Sequence, residues 1–473
     1  MSLREEKLLE DYFNELSLEA ERVPESRIHA NVHLALNRGS QHVRKLWKKR
    51  LWTATTAVVI TVLLLVSAGS WMGEGSGLRN ALKPFSKMSR LEAYLPLVIQ
   101  DTTVWSAYEA RLMKQVGVSS MEKEGHVLTV DGMIADEMGI IILYSVDNKT
   151  EHTTRVDHLS LTDNTGTIKG SEVIEMREKL ELGSTMNITR LTWGGEAKDL
   201  PEEVEVLLAV STNAGDNSYS ANPEELINLS VPIRLDKKAM EEAGQSITLN
   251  RALVVAGQTI DLKQMYTGST GIYLETAYNK NNTQDIFGML KPRILLGDDR
   301  DSEGFYLPKQ VQKEGRTFNV FKNDSTKPKA PLRLTVDGIY ALESSKRELI
   351  IDTDKQQIMK APDDTLTVNV EEASDGHRVI VLKRHWTDTN KLNSDGNLVL
   401  NILFKDGKGG IHEYDQSPNQ FNLNDLLIPQ KDGPTVAGNN LYFIGKDKLP
   451  QPLTFTLDSY PNAIKDVKTI PLR

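Results

Sequence analysis

Residues 127–148 read VLTVDGMIADEMGIIILYSVDN, and most of the chain is understood by extension from this stretch. It holds two runs rich in apolar and β-branched residues, 127–131 and 140–145, with Gly132, Asp136 and Gly139 between them. Such runs suit a pleated, partly buried backbone, and Gly and Asp mark places where it breaks off. The pattern recurs at 204–211, 272–278, 379–383 and 398–404, separated by clusters of Gly, Asn, Asp and Pro. Many short strands at this spacing predict a mainly-β region made of sandwiches.

Internal repetition divides that region. Pro331-Leu332-Arg333-Leu334-Thr335-Val336-Asp337 returns as Pro452-Leu453-Thr454-Phe455-Thr456-Leu457-Asp458. Strand-plus-turn segments also recur at 159–163 (LSLTD), 294–298 (ILLGD) and 402–406 (ILFKD). Cuts at 119–235, 236–350 and 351–473 give three units of similar length, each sufficient for a modest sandwich.

Ahead of the β region the pattern changes. Residues 72–118 open with a Gly-rich tether at 73–77, then carry Leu82, Phe85, Leu91, Tyr94, Leu95, Val98, Val104, Tyr108 and Leu112. This predicts two or three helices, broken near Pro84 and Pro96.

Residues 51–71 (LWTATTAVVITVLLLVSAGSW) contain no charge. A helix of that length rises roughly 31 Å, enough for a hydrocarbon core of about 30 Å. Arg44, Lys45, Lys48, Lys49 and Arg50 precede it, which places the N-terminus in the cytoplasm and the C-terminal region outside. Trp52 and Trp71 suit the two interfaces, each with its ring in lipid and its N–H in water. Val66, Ser67 and Ala68 resemble a signal-peptidase site, but the fifty residues ahead far exceed an ordinary n-region. The expectation is an uncleaved single-pass anchor in the cell membrane.

Residues 1–50 divide by charge. Residues 1–25 hold three basic against eight acidic side chains, and residues 26–50 hold seven basic and none acidic. Ser2 and Glu5 form a capping box for a first helix, whose apolar stripe is Leu8, Leu9, Tyr12, Phe13 and Leu16. Pro24 opens a second, with Ile28, Val32 and Leu36 as its stripe. Two helices this short bury little surface against each other, so they form either a small hairpin or stripes that fold onto a partner.

Composition excludes several functions. The chain has no cysteine, so disulfides, thiolate zinc sites and cysteine nucleophiles are ruled out. Beyond residue 50 the balance is 46 basic against 57 acidic residues, which argues against nucleic-acid binding. No nucleophile elbow, zincin, Walker or dinucleotide motif occurs. Gly268-Ser269-Thr270-Gly271 is one residue short of a nucleophile elbow and reads as a strand-connecting turn. The acidic segment 297–304 lacks calcium-loop spacing and carries Arg300, so it reads as a solvated loop. His29 and His33 lack a third ligand, and the other histidines are scattered. Neither an enzyme, a metal site nor a cofactor is expected.

The arrangement as a whole resembles membrane-bound anti-sigma factors of Gram-positive bacteria, of the anti-sigma-M-like type. Pro24 and Glu25 at a helix start, the basic run, one anchor and a helical lead-in carry the likeness, together with residues 127–148. Within that stretch Thr129-Val130-Asp131 and Ala135-Asp136 match a T-V-D-x-x-x-A-D signature of a poorly characterised exterior domain. Residues 247–278 look like the immunoglobulin-like domain that often follows, and residues 351–473 like a further copy. The resemblance implies that residues 1–50 sequester an extracytoplasmic-function sigma factor through the two apolar stripes. It also implies release by envelope proteases, with one cut near 72–77 and a second near Ser67, Ala68 and Gly69. The cysteine-containing zinc motif of many anti-sigma factors is missing. The competing reading is an anchored structural or adhesive envelope protein with no sigma partner.

Overall fold

The computed structural model describes residues 90–172, 179–212, 226–297, 309–372, 376–385, 398–414 and 436–473. The sigma-binding stripes, the basic run, the apolar span 51–71 and the tether all lie outside these residues. Among the described residues, no helix is long and apolar enough to cross a membrane.

The described part of the lead-in, from residue 90, is helical, with its break at Asp101 rather than at Pro96, while Pro84 lies outside the described residues. A 3-10 turn at Arg90–Tyr94 runs into α1 (Leu95–Val98), and α2 follows at Thr102–Glu109. Pro96 sits in the first turn of α1, where its missing N–H has no partner to lose. The break falls at Asp101, whose carboxylate caps α2 by accepting from Thr103 N and Val104 N. Residues 114–118, expected in the lead-in, instead open the first sheet.

That sheet has nine strands: β1 (Lys114–Ser119), β2 (His126–Ala135), β3 (Gly139–Asn148), β4 (Thr154–Thr162), β5 (Ile168–Glu172), β6 (Lys179–Leu180), β7 (Gly183–Trp193), β8 (Glu203–Ser211) and β9 (Leu226–Arg234). Their order is β1-β2-β3-β7-β5-β4-β8-β9, with β6 beside β4. The sheet curls on itself, because Val130 and Met133 of β2 share one core with Val206 and Leu208 of β8 and Leu229 and Val231 of β9. The unbroken apolar run of β3 follows from burial on both faces. Ile140, Ile142 and Tyr144 face that core, while Ile141 and Leu143 pack under Tyr94, Val98, Val104 and Ala107 of the lead-in.

A short helix, α3 (Lys237–Glu242), leads to the second unit. One of its sheets comprises β10 (Gly244–Val255), β11 (Gln258–Gly268), β12 (Gly271–Tyr278), β15 (Lys309–Lys313) and β16 (Arg316–Phe321). The opposing sheet is built on β17 (Leu332–Glu343), which pairs with β13 (Gln284–Leu290) and β14 (Arg293–Leu296). The two sheets share a core that includes Leu253, Leu262 and Leu274 from one and Ile294, Leu334 and Ile339 from the other.

The third unit packs β18 (Glu348–Asp352), β19 (Gln357–Lys360), β22 (Val399–Lys405), β23 (Ile411–Glu413) and β25 (Leu453–Ser459) against β20 (Leu366–Glu372), β21 (Arg378–His385) and β24 (Val436–Phe443). The two copies of the repeated heptapeptide fall on β17 and β25, each a central strand of its sheet. The chain then returns: β26 (Ala463–Pro471) pairs with β17, from Tyr340 opposite Ala463 to Arg333 opposite Pro471. The last strand therefore completes the second unit, and the third is inserted between two strands of its neighbour. The expected cut at 350 separates strands that are hydrogen-bonded across one sheet.

Candidate functional site: a buried aspartate where three segments meet

The signature quoted at the outset supplies two buried carboxylates. Asp131 interrupts the β2–β3 register, which passes from Val130 opposite Tyr144 to Gly132 opposite Leu143. Such a bulge re-aims a side chain. Asp131 Oδ2 accepts from Tyr94 OH at 2.7 Å and from Ser145 Oγ at 3.1 Å. The first of these bonds ties the lead-in to the sheet. Burial and the Asp131 carboxylate together push the Tyr94 phenol well above its ordinary range, so it remains a donor.

Asp136 lies in the β2–β3 turn and is wholly buried. Its Oδ1 accepts from Met138 N at 2.9 Å and Gly139 N at 3.1 Å, closing its own turn. Its Oδ2 accepts from Thr270 N at 2.7 Å and Thr270 Oγ1 at 2.8 Å, both from the second unit. The Thr270 hydroxyl proton is thus committed to the carboxylate, so at the 2.9 Å contact with Tyr273 it is the phenol that donates. Trp193 Nε1 donates to Asp136 O at 2.8 Å.

Further bonds cross the same seam. Glu137 N donates to Tyr266 OH at 3.2 Å, and Lys313 Nζ to Glu137 O at 3.1 Å. Met138 of the first unit joins Tyr266, Tyr273, Val311, Phe318 and Val320 of the second in one apolar cluster. Gly268 has no substitute at this point, because a Cβ there would lie 2.3 Å from Asp136 Oδ2.

The lead-in is held by the second unit as well. Thr103 Oγ1 accepts from Asn323 N at 2.9 Å, and Ser106 Oγ accepts from Ser325 N at 2.9 Å. Asn323 Nδ2 donates to Gly268 O at 2.7 Å, joining this contact to the turn that holds Asp136. One buried polar network therefore contains α2, the β2–β3 turn, the 268–271 turn and the 323–325 segment.

Burial raises the Asp136 carboxyl above its ordinary range, against the hydrogen bonds from Thr270, Met138 and Gly139. A carboxyl with a raised native pKa leaves stability intact below about pH 4, the unfolded value, and subtracts from it as pH climbs through the native value. The thermal midpoint of the wild type should therefore fall relative to that of Asp136→Asn as pH rises above about 4, the unfolded value. Two midpoint curves running parallel above that pH would refute the assignment.

The arrangement can fasten segments together. Among the described residues, no cluster of three or more His, Asp or Glu side chains could hold a metal ion. The residues predicted to bind a sigma factor (Leu8, Leu9, Tyr12, Phe13, Leu16, Ile28, Val32 and Leu36) lie outside the described residues. So do the anchor flanks Arg44, Lys45, Lys48, Lys49, Arg50, Trp52 and Trp71. Sequence reasoning quoted Asp131, Asp136 and Thr270 without giving them a role. The available signal was a charged residue between two strongly apolar runs, a position where a carboxylate needs several donors. Comparisons with known protein families, curated proteins and solved structures gave no match for this chain.

Proposed function

We propose that the chain is a single-pass transmembrane anti-sigma factor. Residues 1–50 bind an extracytoplasmic-function sigma factor in the cytoplasm, residues 51–71 anchor the chain in membrane lipid, and the rest receives an envelope signal outside. The observation that carries this reading is the sequence order: amphipathic stripes, a basic run, one uncharged apolar span, a helical lead-in and then β units. In this reading the packed sheet pairs are immunoglobulin-like sandwiches, and envelope proteases end the sequestration. The hydrogen-bonded joint between lead-in and β units supports it, because a signal received outside needs a mechanical route back toward the anchor.

Deleting the gene should raise transcription from promoters served by the sigma factor encoded beside it. Expression of residues 1–71 alone should restore repression. Unchanged transcription in the deletion strain would leave the anchored scaffold as the better reading.

A further inference from the structure

The second unit contributes two segments to the network around Asp136, and both engage parts of the chain more than a hundred residues earlier. Thr270 reaches back to Asp136, and Asn323 and Ser325 reach back to Thr103 and Ser106. Every one of these groups is buried or partly buried, so an unmade bond would leave a polar atom without water. The two contacts cannot part independently, because Asn323 Nδ2 is bonded to Gly268 O at the root of the Thr270 turn. α2 is only eight residues long, and an isolated helix of that length is unstable in water. Its order therefore depends on what it packs against: the Ile134, Ile141 and Leu143 face of the first sheet on one side and the 323–325 segment on the other.

We infer that this network is a latch: docking of the second unit on the first keeps α2 folded, and parting the two units releases α2. The device deepens the anti-sigma reading, on which only its consequence depends. Under that reading, a ligand or load acting on the second unit loosens a helix of the lead-in, on the anchor side of the β units in sequence, and exposes it to proteolysis. The coupling runs both ways, since two groups bound in one network stabilise each other by equal amounts. A perturbation at Ser106 must loosen the 268–271 turn as surely as one at Thr270 loosens α2.

The test is hydrogen exchange of the full-length chain in lipid nanodiscs, read on peptides covering 102–109, 203–211 and 266–273. Thr270→Val keeps the side-chain shape and removes the hydroxyl, while Asn323→Ala removes the link to Gly268. Thr335→Val removes a part-buried hydroxyl contact remote from this network, to Thr469 across β17 and β26, and serves as the control. Thr270→Val and Asn323→Ala should each speed exchange in 102–109 at least tenfold and leave 203–211 unchanged, and the control should not affect 102–109. Ser106→Ala should speed exchange in 266–273. If Asn323→Ala unfolds the second unit outright, Thr270→Val decides the matter by the same reading. The latch is overturned if 102–109 keeps its protection while 266–273 loosens. Because no sigma factor is present, failure here would not bear on sequestration.

Discussion

Truncation after residue 462 is expected to unfold the second unit while the first remains folded. β26 covers one edge of β17 over most of its length, and it carries Ile464 and Ile470 against the core shared by β10–β14 and β17. Leu472, only 2% exposed, follows it into the same core. Asp466 accepts from Ala256 N at 2.7 Å, and the Arg251 guanidinium donates to Pro471 O, so the strand also ties β10 to β17. Leu472 N donates to Leu332 O at 2.7 Å. Burial of each aliphatic side chain contributes about 1.5–3 kcal/mol, and each stranded backbone group costs about 1–3 kcal/mol. Losing the strand therefore removes an amount comparable with a domain's whole stability of about 5–15 kcal/mol. Exchange protection across β11, β12 and β17 should vanish in the truncated chain. A milder form is Gly338→Ala, because a Cβ at Gly338 would sit 2.0 Å from Ile464 O and the backbone there has φ +154°. Its urea midpoint should fall clearly below that of the wild type. Retention of the wild-type midpoint would contradict the strand's role.

The second large effect belongs to the cytoplasmic segment. Under the proposed function, Tyr12→Ala with Phe13→Ala should weaken sigma-factor binding by about 2–4 kcal/mol, the usual loss for aromatic anchors at the centre of an interface. In the sequence the two aromatic residues lie between Leu8 and Leu9 on one side and Leu16 on the other, the middle of the expected stripe. Screening by salt should matter less than truncation if, as that function proposes, apolar burial rather than the acidic face supplies most of the affinity. A titration of the double variant in low and high salt separates the two contributions.

The sequence was legible where local chemistry decided the outcome. The runs at 127–131, 140–145, 204–211, 272–278 and 379–383 lie within β2, β3, β8, β12 and β21, because β-branched residues and burial agree there. The recurring strand-plus-Asp segments were informative for a reason visible only in the structure. Asp163 and Asp406 each end a strand and accept from nearby backbone N–H groups, Thr165 and Thr167 in one case and Lys408 and Gly410 in the other.

What stayed hidden is long-range. Residues 463–471 (AIKDVKTIP) mix polar and apolar side chains without strict alternation, and nothing local names β17 as their partner. The 268–271 turn reads as a turn and is one, yet its threonine is fixed by a carboxylate 134 residues away. Thr103 and Ser106 look like weak helix formers, and their value lies in hydroxyls that face Asn323 and Ser325. Polar contacts of this kind leave no periodic trace in a single sequence.

Sequestration is the central claim, and the most direct measurement is a calorimetric titration of residues 1–50 against the sigma factor encoded beside this gene. The account predicts a one-to-one complex, abolished or strongly weakened by Tyr12→Ala with Phe13→Ala. A folded sigma factor and a folded fragment that release no heat and form no complex would contradict it.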